Sequence, residues 1–284
     1  MLSSFEILED ALFFYKENFK TFFIITFPAF LFSLAYAIYS PSLSMGGKAG
    51  FALAILAPIG IWKNLALFYT LKHHKEDFHA LDAYNKTFDK IPSFLLLCAI
   101  MAFTLFGALL FFVIPLIIFV VSLSLASYVY FFEDLQGFKA LAKSAKYIKG
   151  KWGNAAAKIT WLMIFGLFVN GILTFGTQML LAKTAAITVT TLFLECFIMP
   201  LNITYMFFVY RSFKTLHDAE TPAPVDPLEE AIALRTGGLK AMCALGVLFV
   251  VFLLFWIGGN YTSISTYKYK FTQEQKEEFK MLTD

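Results

Sequence analysis

Two ionisable side chains stand inside long apolar runs: Lys63 in FALAILAPIGIWKNLALFYTL and Glu195 in TLFLECFIMP. A charge in bilayer hydrocarbon is costly, so such residues face a bundle interior, pair with one another, or line a proton or ligand pathway. Three chemistries fit them: a structural ion pair, a lone glutamate carried as the neutral acid, and a proton- or ligand-handling site. Lys63 has a further option, because it lies about eight residues from the basic end of its run and a lysine stem can snorkel to the interface. Glu195 lies nearer mid-depth, beside Cys196 and a little over one turn before Pro200, whose ring frees a backbone carbonyl and can bend a helix. Counted from Leu71 and Arg211, the two residues differ in depth by about 12 Å along parallel axes at roughly 1.5 Å per residue. Helix tilt or a break at Pro200 must close that gap if they are to meet.

The other polar residues carry less. Cys98, Cys196 and Cys243 lie in three separate apolar runs without CxxC or Cys/His spacing, so they read as small core residues and neither a disulfide nor a metal site is expected. His73, His74, His79 and His217 occupy connectors, and no carboxylate or cysteine pattern completes a metal site around them. Asn170, Gln178 and Asn202 read as interhelical hydrogen-bonding groups. The sequence contains no P-loop, GxSxG, HExxH or GxGxxG. Only one carboxylate lies at depth, whereas acid–base chemistry needs a second positioned group. No catalytic residue, metal or cofactor is expected.

A different chemistry, attraction to lipid headgroups, is written between Phe131 and Ile159. At about 100° per residue Phe138, Leu141, Ala145, Ile148 and Trp152 fall on one helical face, with Lys139, Lys143 and Lys146 roughly opposite. A basic amphipathic helix joined to spanning helices is expected in the headgroup plane, its apolar face dipped into the acyl boundary. Lys139, Lys143, Lys146, Lys149 and Lys151 would then contact anionic lipid on the cytoplasmic face. Membrane lipids are the expected partners, any protein partner is unknown, and nothing points to nucleic acid.

The elements that must position these residues are membrane spans. Of 284 residues, 59% are hydrophobic and 15% charged, against about 25% charged in soluble domains. The expected spans are Thr21–Ser40, Phe51–Leu71, two within the uncharged run Phe94–Phe132, then Lys158–Phe175, Thr184–Tyr210 and Lys240–Ile257. The uncharged run of 39 residues would measure nearly 60 Å as one helix, about twice a bilayer core. Val113, Ile114 and Pro115 are taken as its turn, and Gly176, Thr177 and Gln178 as the opening of the turn after the fifth span. Met1–Lys20 is expected to be a short amphipathic helix capped by Ser3 or Ser4 with Glu6 in its first turn. Acids at Glu6, Glu9 and Asp10 argue against a secretory signal.

Lysine and arginine collect on one side: Lys16, Lys20, Lys72, Lys75, Lys86, Lys90, six lysines from Lys139 to Lys158, Arg211, Lys214, Arg235 and Lys240. The facing loops before the tail offer Lys48 and Lys183, so the N-terminus is expected in the cytoplasm and the C-terminus outside. ALFFYKENFKTFF at Ala11, ALDAYNKTFDKIPSF at Ala80 and ALAKSAKYIKGKW at Ala140 share Ala-Leu, a Tyr or Ser at the fifth position and a nearby lysine, spaced 69 and then 60 residues apart. They suggest three repeated units, each an amphipathic helix followed by a pair of spans.

EDLQGFKALAKSAKYIKGKWGN resembles the acidic-glycine, Ala-Leu, Lys-Ser and Gly-Lys/Arg-Trp pattern after the fourth span in a family of bacterial membrane domains. These accompany some glycerophosphodiester phosphodiesterases and include the related YciC-like inner-membrane proteins. PLNITYMFFVYRSFK, from Pro200, is similar to that family's closing span. The resemblance covers about Ile7 to Lys214 and implies a fold and an inner-membrane location more than an activity. The phosphodiesterase barrel itself, of about 250 residues, has no room in this chain, and its activity is not carried over.

The sequence thus predicts an all-α, polytopic membrane helix bundle. A six-span core of three helix-hairpin units with interfacial amphipathic helices occupies 1–214. A cytoplasmic linker with a short helix around Leu228–Arg235 follows at 215–239, then a seventh transmembrane helix at 240–257 and an extracytoplasmic polar tail at 258–284. The function expected is that of a non-enzymatic inner-membrane protein of lipid-related membrane organisation or accessory-subunit type. The alternative is a small transporter or flippase-like protein with a cavity between spans two and six.

Overall fold

The computed structural model describes residues 3–39, 44, 47, 50–51, 55–74, 76, 79–111, 113–181, 183–220 and 236–255. Among these every element is helical. Six helices are long and apolar enough to cross a membrane: Phe19–Tyr39, Ala80–Leu109, Val113–Glu133, Trp152–Leu180, Thr188–Glu220 and Gly237–Phe255. The chain is an all-α, multi-pass membrane protein. The short helix expected around Leu228–Arg235 and the polar tail lie outside the described residues.

The chain divides into two compact units, residues 1–99 with 120–236 and residues 100–119 with 237–284. The first begins with α1 (Ser4–Glu17), whose start is a reciprocal capping box. The Ser3 amide donates to Glu6 Oε2 at 2.7 Å and the Glu6 amide to Ser3 Oγ at 3.2 Å. Ile7, Leu8 and Ala11 face inward. Next come α2 (Phe19–Tyr39), which runs through Pro28, and α3 (Ala57–Lys72), with a proline in its first turn. From Leu65 to Leu71 every residue of α3 is buried. The run Leu-Ala-Leu-Phe-Tyr-Thr-Leu is apolar all round, which suits a helix surrounded by others rather than one with a single inward face. α3 packs on α2, on α4 (Ala80–Thr87), on α7 (Ala126–Glu133) and on α11 (Met199–Glu220).

A single 3₁₀ turn, Phe88–Lys90, leads from α4 into α5 (Ile91–Leu109), and α6 (Val113–Leu123) precedes α7. The turn between α5 and α6 is at Leu110 and Phe111, not at Val113–Pro115. Pro115 stands in the first turn of α6, where a missing N–H breaks no helical hydrogen bond. α8 (Phe138–Ile148) follows, then α9 (Trp152–Leu180), 29 residues long. Gly176, Thr177 and Gln178 belong to the body of α9. The Thr177 hydroxyl donates to the Leu173 carbonyl at 2.8 Å and lies 2.9 Å from the Thr190 hydroxyl on α10 (Lys183–Phe193), so a seam between helices stands where a turn was expected. Between α10 and α11 the chain widens into a π-helix, Leu194–Ile198. Ala11, Ala80 and Ala140 lie on α1, α4 and α8.

The second unit holds residues 100–119 of α5 and α6 together with α12 (Gly237–Phe255). Here α5 and α12 touch backbone to backbone. A Cβ added to Gly107 would overlap the Met242 carbonyl, and one added to Gly246 would overlap the Phe103 carbonyl. Small residues permit this approach between membrane helices, where lipid tails supply no hydrophobic drive and contact alone must hold the pair.

Candidate functional site

Glu195 occupies the π-helix, one residue before the buried Cys196. Its Oε1 lies 3.1 Å from Lys63 Nζ on α3, and its Oε2 accepts from the Ser33 hydroxyl on α2 at 2.6 Å. Both carboxylate oxygens are therefore engaged, and three helices meet at one ion pair. Lys63 is only 3% exposed, so it does not snorkel, while the Glu195 side chain keeps 22% of its surface. The residue count separated the two by about 12 Å because it treated Leu71 and Arg211 as level ends. α11 continues to Glu220, well past Arg211, so its neighbour α3 is matched to a deeper stretch of it. Two orphaned acceptors are carried by the same two helices. Asn64 Oδ1, next to Lys63, and Asn202 Oδ1, beyond Glu195, are buried without a hydrogen-bond partner among the described residues.

At the basic end of this unit lies a second cluster that the sequence reading missed. Glu133 Oε1 accepts from the Tyr147 hydroxyl of α8 at 2.6 Å and from the Tyr210 hydroxyl of α11 at 2.7 Å, with Lys214 Nζ at 3.7 Å. Burial, and then the Glu133 hydrogen bond and charge, push the Tyr147 hydroxyl above its ordinary value, so it stays a donor. The next residue, Asp134, is left-handed at φ 54° and pairs with Lys90 at 3.0 Å and Lys72 at 3.5 Å. Partial burial raises the Asp134 carboxyl, but the Lys90 ammonium and then that of Lys72 outweigh it and hold the group below the usual carboxylate range. Both lysines also stand over the Phe131 ring, at 4.8 and 5.8 Å. The ends of α3, α7 and α8, the 3₁₀ turn before α5 and the middle of α11 are thus tied through two adjacent acids. The available signal was the pair Glu133-Asp134, which closes a 39-residue uncharged run on the lysine-rich side.

Glu133→Gln should lower the unfolding free energy by about 1 to 3 kcal/mol, since two charge-assisted hydrogen bonds fall to neutral strength and Lys214 loses its counterion. Thermal unfolding in detergent measures this, and Glu133→Asp should recover little because the shorter stem withdraws the acceptor from both tyrosines.

The predicted lipid-contacting lysines separate into distinct environments. Lys139 and Lys149 are exposed. Lys146 is half-buried, and Lys151 is bound to Glu220 at 2.6 Å. Lys143 corrects the expectation: it is 6% exposed and its ammonium lies 5.3 Å from the centre of the Tyr147 ring. The apolar face of α8 is corrected with it. Ala140, Leu141, Ala142, Ser144, Tyr147 and Ile148 are buried, against α7 and α11 among others, and the Ser144 hydroxyl donates to the Ser122 carbonyl at 2.7 Å. Of the expected apolar face, Leu141 and Ile148 are buried, Phe138 and Ala145 are half-buried and Trp152 is exposed, so protein covers part of that face. Among the described residues the interhelical hydrogen bonds expected of Asn170 and Gln178 are not made: Asn170 Oδ1 accepts from Thr174 one turn along the same helix, and Gln178 is exposed.

A groove of about 600 Å³ lies between α1 and α11, lined by Glu6, Asp10, Phe208, Arg211 and Thr215 among others, and none of its lining residues belongs to the Lys63–Glu195 site. Compared with known proteins, the chain matches no family model, no curated protein and no solved structure.

Proposed function

We propose that this is a non-enzymatic integral membrane protein of lipid-related membrane organisation or accessory-subunit type, set in a bacterial-type inner membrane with its basic end in the cytoplasm. The observation that carries the reading is the closed state of its deepest charges. Lys63, Glu195 and Ser33 satisfy one another across three helices, and Glu133 and Asp134 tie the helix ends at the basic side. Such an arrangement suits a fixed scaffold. The groups left to meet headgroups are Lys139 and Lys149 at the two ends of α8, with Trp152 beside them at 37% exposure. The family resemblance of EDLQGFKALAKSAKYIKGKWGN supports the same location.

The test uses a chain that keeps Trp152 alone, with Trp62, Trp161 and Trp256 replaced by Phe, reconstituted in vesicles. Brominated phosphatidylglycerol should quench Trp152 more than brominated phosphatidylcholine does. That preference should fall about fivefold for each of Lys139→Gln and Lys149→Gln, the equivalent of roughly 1 kcal/mol per charge near an anionic surface. Equal quenching by the two lipids would remove lipid organisation from the proposal.

A second reading, a small proton-coupled transporter or flippase-like protein, is favoured by the π-helix at Leu194–Ile198 and by the orphaned oxygens of Asn64 on α3 and Asn202 on α11. Single-turn π segments recur at functional sites, and an unpaired buried acceptor marks a place for a water or ligand donor. Proton entry into vesicles that vanishes in Glu195→Gln would establish this reading over the first.

A further inference from the structure

α9 is unlike the other helices of its unit. From Ile159 to Leu180 none of its residues is buried, although α10 packs along one side through Thr177 and Thr190. An apolar face of this kind needs only lipid. Its polar residues need more. Asn170, Thr174 and Gln178 recur every four residues, and at 100° per residue they share a stripe with Met163, Leu167 and Gly171. Asn170, Gly171 and Gln178 are exposed, and a Cβ added to Gly171 would meet nothing within 4 Å. Lys158, buried at the basic end, and Leu180 bracket a stretch about 33 Å long, on which Asn170 lies about 18 Å from Lys158, near mid-bilayer. Asn170 Oδ1 accepts the Thr174 hydroxyl at 3.0 Å, but among the described residues its two N–H donors and the Gln178 amide have no partner. In hydrocarbon an unmade amide hydrogen bond costs several kcal/mol, a cost that falls on Asn170, since Gln178, about 30 Å from Lys158, stands at the far edge of the stretch.

We infer that this stripe is the interface of a parallel two-fold dimer of the chain within the membrane. About a two-fold axis along the bilayer normal each residue of the stripe meets its own copy, so what lies there must be self-complementary. A primary amide meets that requirement. The Asn170 carbonyl, already holding Thr174 with one lone pair, accepts the partner's N–H with the other, and the Asn170 side-chain NH2 donates to the partner's carbonyl in return. Gln178 repeats the exchange about 12 Å farther along the helix. Gly171, with no side chain beside Asn170, lets the two backbones come close enough for the short amide to reach. A lone cation or lone acid at mid-depth would instead call for a partner of opposite charge. The amides call for amides, and a second copy supplies them at the matching depth.

The test is single-molecule photobleaching of the full chain, labelled at one site and reconstituted in phosphatidylethanolamine–phosphatidylglycerol bilayers over a range of protein-to-lipid ratios. Two-step bleaching should rise with density, and Asn170→Leu with Gln178→Leu should shift the dimer constant about tenfold or more toward monomer. Asn170→Gln should retain the dimer. Because these positions are exposed, circular dichroism should be unchanged, and so should melting at dilutions where the wild type is monomeric, which separates lost association from lost folding. In a background with Cys98, Cys196 and Cys243 replaced by Ala, Leu167→Cys or Gly171→Cys should form disulfide-linked dimers, whereas Ile172→Cys, on the far side of α9, should not. Monomers at every density, a dimer indifferent to both Leu substitutions, or cross-linking through Ile172 in place of Leu167 would each overturn the inference.

Discussion

Lys63→Met and Glu195→Gln, made singly, should each cost about 3 to 5 kcal/mol of stability, and the double substitution should cost clearly less than their sum. The reason is in the burial. Lys63 is 3% exposed and 3.1 Å from the carboxylate, so removing Glu195's charge strands an ammonium among apolar side chains. Removing Lys63 strands the carboxylate with Ser33 as its remaining hydrogen-bond partner at 2.6 Å. Removing both leaves neutral groups of similar size, and a buried pair replaced together is often close to neutral in stability. Thermal unfolding in detergent for the four members of the cycle measures the coupling. Strictly additive losses would mean that the pair contributes nothing as a pair, and would move the weight toward Glu195 as a protonatable group. Ser33→Ala gives the scale of the third partner, about 1 kcal/mol for one hydrogen bond to a charged acceptor beyond what water or lipid returns.

Gly246→Leu should be as damaging in the other unit. The Cβ alone would overlap the Phe103 carbonyl, and a leucine adds three more carbons at a place where backbone meets backbone. Overpacking costs typically 1 to 3 kcal/mol where flexible side chains can yield. A carbonyl cannot yield without moving α5 away from α12, so about 3 kcal/mol or more is expected. Even Gly246→Ala should destabilise, although alanine gains up to about 1 kcal/mol in helix propensity over glycine, because the overlap begins at Cβ. Gly166→Ala on α9 is the control: nothing lies within 4 Å of its added Cβ, and the propensity gain should appear as a small stabilisation. A Gly246→Ala variant that melts with or above the wild type would show that the two helices do not touch there.

The class of the fold was legible in the sequence because hydrocarbon admits few solutions. A chain with 39 consecutive uncharged residues must satisfy its backbone within helices, and helix length against bilayer thickness then divides the run into two spans. Ser3 and Glu6 announced the first helix through local capping chemistry, which depends on three-residue spacing and on nothing distant. Lys63 and Glu195 were recognisable as a site for the same reason the spans were, since a charge at depth demands an account wherever the helices happen to lie.

What the tertiary structure alone decided were relations between helices. Periodicity showed that α8 has an apolar face and a basic one, but not that α7 and α11 would bury Leu141 and Ile148 of the first and that Tyr147 would take Lys143 under its ring. Counting residues from loop to loop placed Glu195 below Lys63, because a sequence carries no information on how far α11 projects beyond α3. Glu133 and Asp134 acquire their roles only where Tyr147, Tyr210, Lys72 and Lys90 meet them from other segments of the chain. The underlying physics differs in range. Burial in lipid and helix capping act on a residue and its neighbours within one turn, so they are written in the local sequence. Ion pairs, aromatic contacts and glycine crossings depend on which helices stand side by side, and that is settled when the whole bundle packs.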